Sequence, residues 1–160
     1  MPLFIAPAAA ALVRVMASAV QPSGLLIEGV EPAPIRISGS EIAALSHVSV
    51  SRTDHGKPVR CEGVPLAALL ARVKLPSGEA LRGKALTTVI VASARDGYRV
   101  SFSLGELDPE LGKAGAVVAD RCNGRPLDPS AGPLRLILPN DQRPARSVRQ
   151  LERLSIVQLP

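Results

Sequence analysis

A chain of 160 residues, 46% hydrophobic and 21% charged, has the length and balance of one globular domain, with room for a single core but not for two. Its 19 basic and 14 acidic residues leave a net charge of +5. The basic residues are scattered with no run longer than two, and one Tyr, two Phe and no Trp supply no stacking platform, which argues against a nucleic-acid partner. With 15 Pro and 13 Gly set among Val, Leu, Ile and Ala, the composition favours many short strands over a helical bundle.

The first 20 residues are apolar and Ala-rich, and Ala17-Ser18-Ala19 forms a small-x-small pattern before Gln21-Pro22. This predicts a secretory signal peptide over 1–20, export to the periplasm, and one mature domain over 21–160. The apolar run falls short of the roughly 20 residues that span a bilayer. Residues 25–29 then read as a strand, and 34–38 as a second with period-two alternation. Ser38 or Ser40 is placed to cap a short helix over 41–45, where Glu41 suits the helix dipole. Residues 47–52 alternate again, with Val48 and Val50 predicted inward, and 53–58 read as a polar turn. The clearest helix is 64–73: Pro65 suits its first turn, and Leu66, Leu69, Leu70 and Val73 line one face. Residues 85–93 form an apolar β-branched strand, Asp96-Gly97 a turn, and 98–102 its hairpin partner. One helical turn is predicted at 104–107, a buried strand at 116–119 and a second hairpin turn at Asn123-Gly124. The compact run Leu134, Leu136, Ile137, Leu138 ends at Pro139, and alternation resumes at Leu151, Leu154 and Ile156. The order of elements predicts an α+β domain with a β-rich core, mixed sheets and a few short helices.

Few residues point to chemistry. The chain has neither a Gly-x-Ser-x-Gly elbow nor a Gly-rich phosphate loop. Glu106, Asp108 and Glu110 read as a solvated helix end rather than a paired-carboxylate centre, and no catalytic residue is assigned. Cys61 and Cys122 have no second Cys or His at metal-ligand spacing; a disulfide and two separate buried side chains are both compatible with them. His47 reads as a surface or half-buried strand residue, whereas His55 sits in a loop. The loop over 140–149 places Arg143, Arg146 and Arg149 within seven residues between two apolar strands, a fork of donors suited to an anionic or carbonyl-rich ligand.

Taken in order, several segments form a series: Ile27-Glu28-Gly29, Ile37-Ser38, Cys61-Glu62-Gly63-Val64-Pro65-Leu66 leading into a leucine helix, the strand ending at Asp96-Gly97-Tyr98, Ser101-Phe102-Ser103-Leu104 with Glu106-Leu107, and Gly132-Pro133-Leu134-Arg135-Leu136 followed by Pro139 and the Arg143/Arg146 turn. This series resembles the sulfite-oxidase-type molybdopterin-binding domain, most of all its short, stand-alone, exported members, over about residues 24–158. The resemblance implies the fold of that family. It also implies a site in which a pyranopterin dithiolene and one protein cysteine thiolate hold molybdenum. The stretch matching the thiolate segment, 48–56, has no cysteine. What the resemblance then implies is pterin recognition without redox catalysis, with Arg52, His55, Tyr98, Asp141, Arg143 and Arg146 as the ligand-binding residues and no metal ligand. The similar short proteins include periplasmic pterin binders that act with a membrane-bound signalling partner. Two alternatives are a molybdenum-cofactor oxidoreductase subunit using Cys61 or Cys122, and an interaction domain with no small ligand.

Overall fold

The computed structural model describes residues 24–160, and the signal peptide expected over 1–20 lies outside them. Ten strands form two five-stranded sheets. The first has the order β2-β1-β10-β5-β6, from β1 (Gly24–Glu28), β2 (Ile35–Ser38), β5 (Thr88–Ala94), β6 (Arg99–Ser103) and β10 (Leu151–Gln158). It is mixed, because β1 runs parallel to β10 while its other neighbours are antiparallel. The second comprises β3 (Val48–Asp54), β4 (Lys57–Pro65) and β7 (Val117–Cys122), with β8 (Arg125–Pro126) and β9 (Arg135–Ile137) both pairing with β7. All of its pairings are antiparallel. The α+β, strand-rich architecture expected from the sequence is the one observed.

Three short helices close the connections. α1 (Gly39–Ala44) starts at Ser38, whose hydroxyl accepts the Glu41 N–H while Glu41 accepts the Ser38 N–H, a reciprocal capping box. α3 (Leu104–Leu107) repeats the device with Ser103 and Glu106. α2 (Leu66–Arg72) buries Leu66, Leu69 and Leu70 on the face that its spacing predicts. Those leucines join Leu25, Ile27 and Ile90 of the first sheet, Val64, Val118 and Leu136 of the second, and Phe102 in one continuous core. A smaller cluster, Cys61, Ala119 and Ile137, packs separately with Val50, Val59 and Cys122.

Four local expectations change. Val48 is exposed rather than inward, at the start of β3, the edge strand of the second sheet. The strand expected from residue 85 begins only at Thr88, since Gly83–Thr87 winds into a 3-10 turn first. Pro65 ends β4 instead of opening the interior of α2, its missing N–H costing nothing at the helix cap. The polar stretch 53–58 is mostly strand: β3 and β4 form a hairpin whose two-residue turn is His55 (φ 49°) and Gly56 (φ 77°). Positive φ at both central residues matches the right-handed twist of the flanking strands, so the ladder continues to Asp54 and resumes at Lys57. At Gly63 the backbones of β4 and β7 approach so closely that a Cβ would overlap Val118 O and Ala119 Cα. That requirement explains a glycine before the Val-Pro-Leu entry to α2.

Candidate functional site

Both hairpin turns and the late loop converge on a cavity of about 340 Å³. Asp54 and His55 come from the β3–β4 turn, Asp96 and Tyr98 from the β5–β6 turn, and Arg135 from β9. Pro144, Ala145, Ser147 and Arg149 come from the segment before β10. Backbone bonds Leu136 N–H to Val148 O (2.8 Å) and Leu151 N–H to Leu134 O (2.8 Å) pin that segment along β9, so its intervening loop projects from a fixed base. The Asp96 carboxylate accepts the Tyr98 N–H (2.9 Å), a local turn closure. The Tyr98 hydroxyl donates to the Ala145 carbonyl and ties the hairpin turn to the late loop across the rim.

Arg135 dominates the floor. It stands in the middle of the apolar run 134–138, and its side chain is 8% exposed. Among the described residues its one carboxylate partner is Asp54 Oδ2, at 3.4 and 3.5 Å from the two terminal nitrogens, while its Nε is buried with no partner. Arg52 lies one hydrogen bond away from the cavity: its Nη1 donates to Ser147 Oγ (2.9 Å), which also accepts the Leu138 N–H (3.2 Å). The Arg52 Nε is likewise buried and unpaired. Burial pushes the Arg135 pKa below its ordinary value; Arg52 and Arg149 push the same way, and Asp54 opposes them. A desolvated cation whose neighbours add positive charge is what an incoming anion relieves.

The sequence-derived candidates divide cleanly. His55 and Tyr98 line the cavity, and Arg52 reaches it through Ser147. Asp141, Arg143 and Arg146 lie outside its lining. Arg146 is engaged on every side: Nε and Nη2 bond the Asp141 carboxylate at 2.9 and 2.7 Å, Nη1 bonds Glu106 at 2.6 Å, and the guanidinium lies 5.2 Å from the Phe102 ring centroid. These bonds hold its pKa well above the usual arginine range. Asp141 and Arg146 therefore brace the loop against α3, and Arg143 is an exposed flank. Arg149, the third arginine of the 140–149 cluster, lines the cavity, whereas Asp54, Asp96, Arg135 and Ser147 are not candidates from the sequence. Arg135 left a signal, a charge at the centre of a buried apolar strand; the other three left none.

One further expectation changes, that for Asp108, and the half-buried reading of His47 holds. Asp108 is buried, not solvated: it accepts the N–H groups of Gly78, Glu110 and Leu111, which hold its carboxyl below the usual carboxylate range. His47 is half-buried and its ring nitrogens lie 2.7 Å from Leu45 O and 3.0 Å from Asp120 Oδ2, away from the cavity. The open question of the cysteines resolves as a disulfide joining Cys61 to Cys122 across β4 and β7.

Comparison with known proteins gives a match to the model of the oxidoreductase molybdopterin binding domain over residues 58–160. The chain belongs to this family. No curated protein matches it. Among solved structures, the sulfane dehydrogenase SoxCD from Paracoccus pantotrophus superposes with a TM-score of 0.64 at 17% identity, over 86% of this chain and 38% of that one. That likeness carries the sulfite-oxidase-type fold, and this chain spans well under half of the dehydrogenase chain. The matched region holds Tyr98, Arg135 and Arg149, while Asp54 and His55 stand just upstream of it.

The family's cofactor can be tested against the donor set of this member. In this structure both cysteines of the chain are in the disulfide, and while it is closed neither is a thiolate that could ligate molybdenum. Among the described residues no three His, Cys, Asp or Glu side chains gather into a metal-holding group. The metal-binding end of the cofactor does not fit these residues.

Proposed function

We propose that this domain is a non-catalytic, pterin-binding member of its family. It takes an anionic pterin-like ligand into the cavity between the Asp54/His55 turn and the 144–149 segment. The observation that supports this is the buried Arg135, whose Nε lacks a partner and whose charge is set beside Arg149 and close to Arg52. Asp54 and Asp96 supply carboxylates for the amide-like edge of a pterin ring, and Tyr98 at the rim offers a face for the ring to lie against. We extend the reading to a periplasmic location, supported by the leader-like N-terminus and by a disulfide, a bond that persists in oxidising compartments. There the domain would report ligand to a membrane-bound partner. Calorimetric titration with a tetrahydropterin is expected to give saturable heat. Arg135→Gln, which removes a charge-assisted bond, is expected to weaken binding by about 10- to 100-fold. Absence of heat at high micromolar ligand with folded protein sinks the pterin reading.

Family membership favours a second reading, a molybdenum-cofactor oxidoreductase subunit. Metal analysis of protein made in a cofactor-competent host separates the two, since that enzyme requires about one molybdenum per chain.

A further inference from the structure

The Asp54–Arg135 pair is a partition. On its far side lies a second concavity of about 540 Å³, lined by the same two residues together with Val59, Cys122, Asn123 and Arg125. The disulfide thus borders this second concavity, with unequal access to its two sulfur-bearing residues: Cys61 is fully buried, whereas Cys122 is half-buried and lines it. Its place in the sheet is equally specific. β4 pairs with β7 from Pro65 back to Cys61 opposite Cys122, where that ladder stops. One more pair of bonds, between Arg60 and Asn123, follows it. From there the β3–β4 hairpin continues as a two-stranded ribbon through Arg52, Asp54 and His55, one wall of the candidate site. At the root of the ribbon, the cluster of Cys61, Ala119 and Ile137 with Val50, Val59 and Cys122 is separate from the main core. The covalent bond is therefore the strongest tie between the ribbon and the body of the domain.

We propose that Cys61–Cys122 is a thiol–disulfide exchange site, reducible in the folded protein, and that its state sets the rigidity of the ribbon carrying Arg52, Asp54 and His55. A dithiol reductant enters the concavity, and one of its thiolates attacks the Cys122 sulfur. The Cys61 thiolate leaves and takes up a proton. The reductant's second thiol then displaces Cys122, releasing a cyclic disulfide and a second protein thiol, so that two electrons and two protons pass to the protein. With the bond open, the ribbon is held by the Arg60–Asn123 pair of bonds, the long Asp54–Arg135 contact, the Arg52–Ser147 bond and a six-residue apolar cluster. The oxidised form is rigid, and the reduced form releases one wall. The functional consequence rests on the site proposed above; the structural claim does not, and its test needs no ligand.

The experiment is short-pulse hydrogen–deuterium exchange on the whole chain, oxidised and after dithiothreitol under native conditions, with thiols counted by alkylation. Both cysteines are expected to alkylate after reduction. Amides over 50–60 are then expected to lose protection within minutes, exchanging about tenfold faster or more, while β5 and β10 stay protected. A disulfide that resists dithiothreitol until the protein unfolds overturns the proposal. So does an unchanged ribbon, and so does simultaneous loss of protection in both sheets. The Cys61→Ser/Cys122→Ser double variant, a permanently open form, should reproduce the reduced pattern.

Discussion

Replacing Arg135 and Asp54 together by Met and Asn probes whether the floor of the cavity is built for a ligand or for the fold. Arg135 is desolvated, its Nε has no acceptor, and its contacts to Asp54 are long, 3.4 and 3.5 Å. An unsatisfied buried donor costs about 1–3 kcal/mol, and exchanging a buried ion pair for apolar or neutral groups is often neutral or stabilising by about 1–4 kcal/mol. Met follows the path of the arginine stem and fills an irregular gap, and Asn keeps the shape of Asp without its charge. The double variant is therefore expected to match or exceed the wild-type protein by about 1–3 kcal/mol. For a domain of this size each kcal/mol raises Tm by about 3–5 °C in differential scanning calorimetry. Arg135→Met alone should fare worse than the double change, because it strands the Asp54 carboxylate, which is 17% exposed. Pterin heat should vanish in both. A double variant with Tm lowered by more than about 5 °C would refute the reasoning, showing the pair to be a structural tie.

Arg146→Ala tests the opposite assignment: it removes three charge-assisted bonds, but the side chain is 41% exposed, so the expected cost is about 1–2 kcal/mol in urea unfolding. Ligand affinity is expected to stay within about threefold, and lost binding at unchanged stability would instead make Arg146 a ligand contact. Asp108 predicts a pH dependence: the N–H groups of Gly78, Glu110 and Leu111 lower its pKa from the ordinary 3.8, so its contribution is complete above 3.8 and is lost as pH falls through the lower folded value. Urea midpoints at neutral pH and below 3.8 should therefore fall further on acidification for the wild-type protein than for Asp108→Asn, and equal falls would overturn this account.

Local signals are legible where the physics is local. Ser38, one of the two caps expected for α1, precedes a Glu by three residues, and Ser103, not expected as a cap, does the same at α3. Asn123-Gly124 turns as expected because both residues accept positive φ (51° and 74°). Asp54-His55-Gly56 uses the same turn, yet its polar neighbours and Pro58 read as a loop over 53–58, which hides the end of β3 and the start of β4. The candidate site was legible only in part, for a related reason. A cluster of arginines marks a place where charge must be held, but which of them faces a cavity depends on acceptors far away in sequence. Arg146 finds Glu106 and Asp141, and so is spent on bracing; Arg135 finds only a distant carboxylate among the described residues, and its buried Nε stays unpaired.

By itself the sequence determined the class of fold, the start of α1, the Asp96-Gly97 and Asn123-Gly124 turns and the apolar face of α2, because periodicity, propensity and turn chemistry act over a few residues. It also settled that a thiolate-held molybdenum has no cysteine in the expected stretch. Tertiary structure alone decided that Cys61 and Cys122 pair, that β9 carries a buried cation, and that turns some 40 residues apart in the chain share one cavity with it. Those outcomes follow from which strands lie side by side, and strand order is set by burial of the whole core rather than by any segment within it.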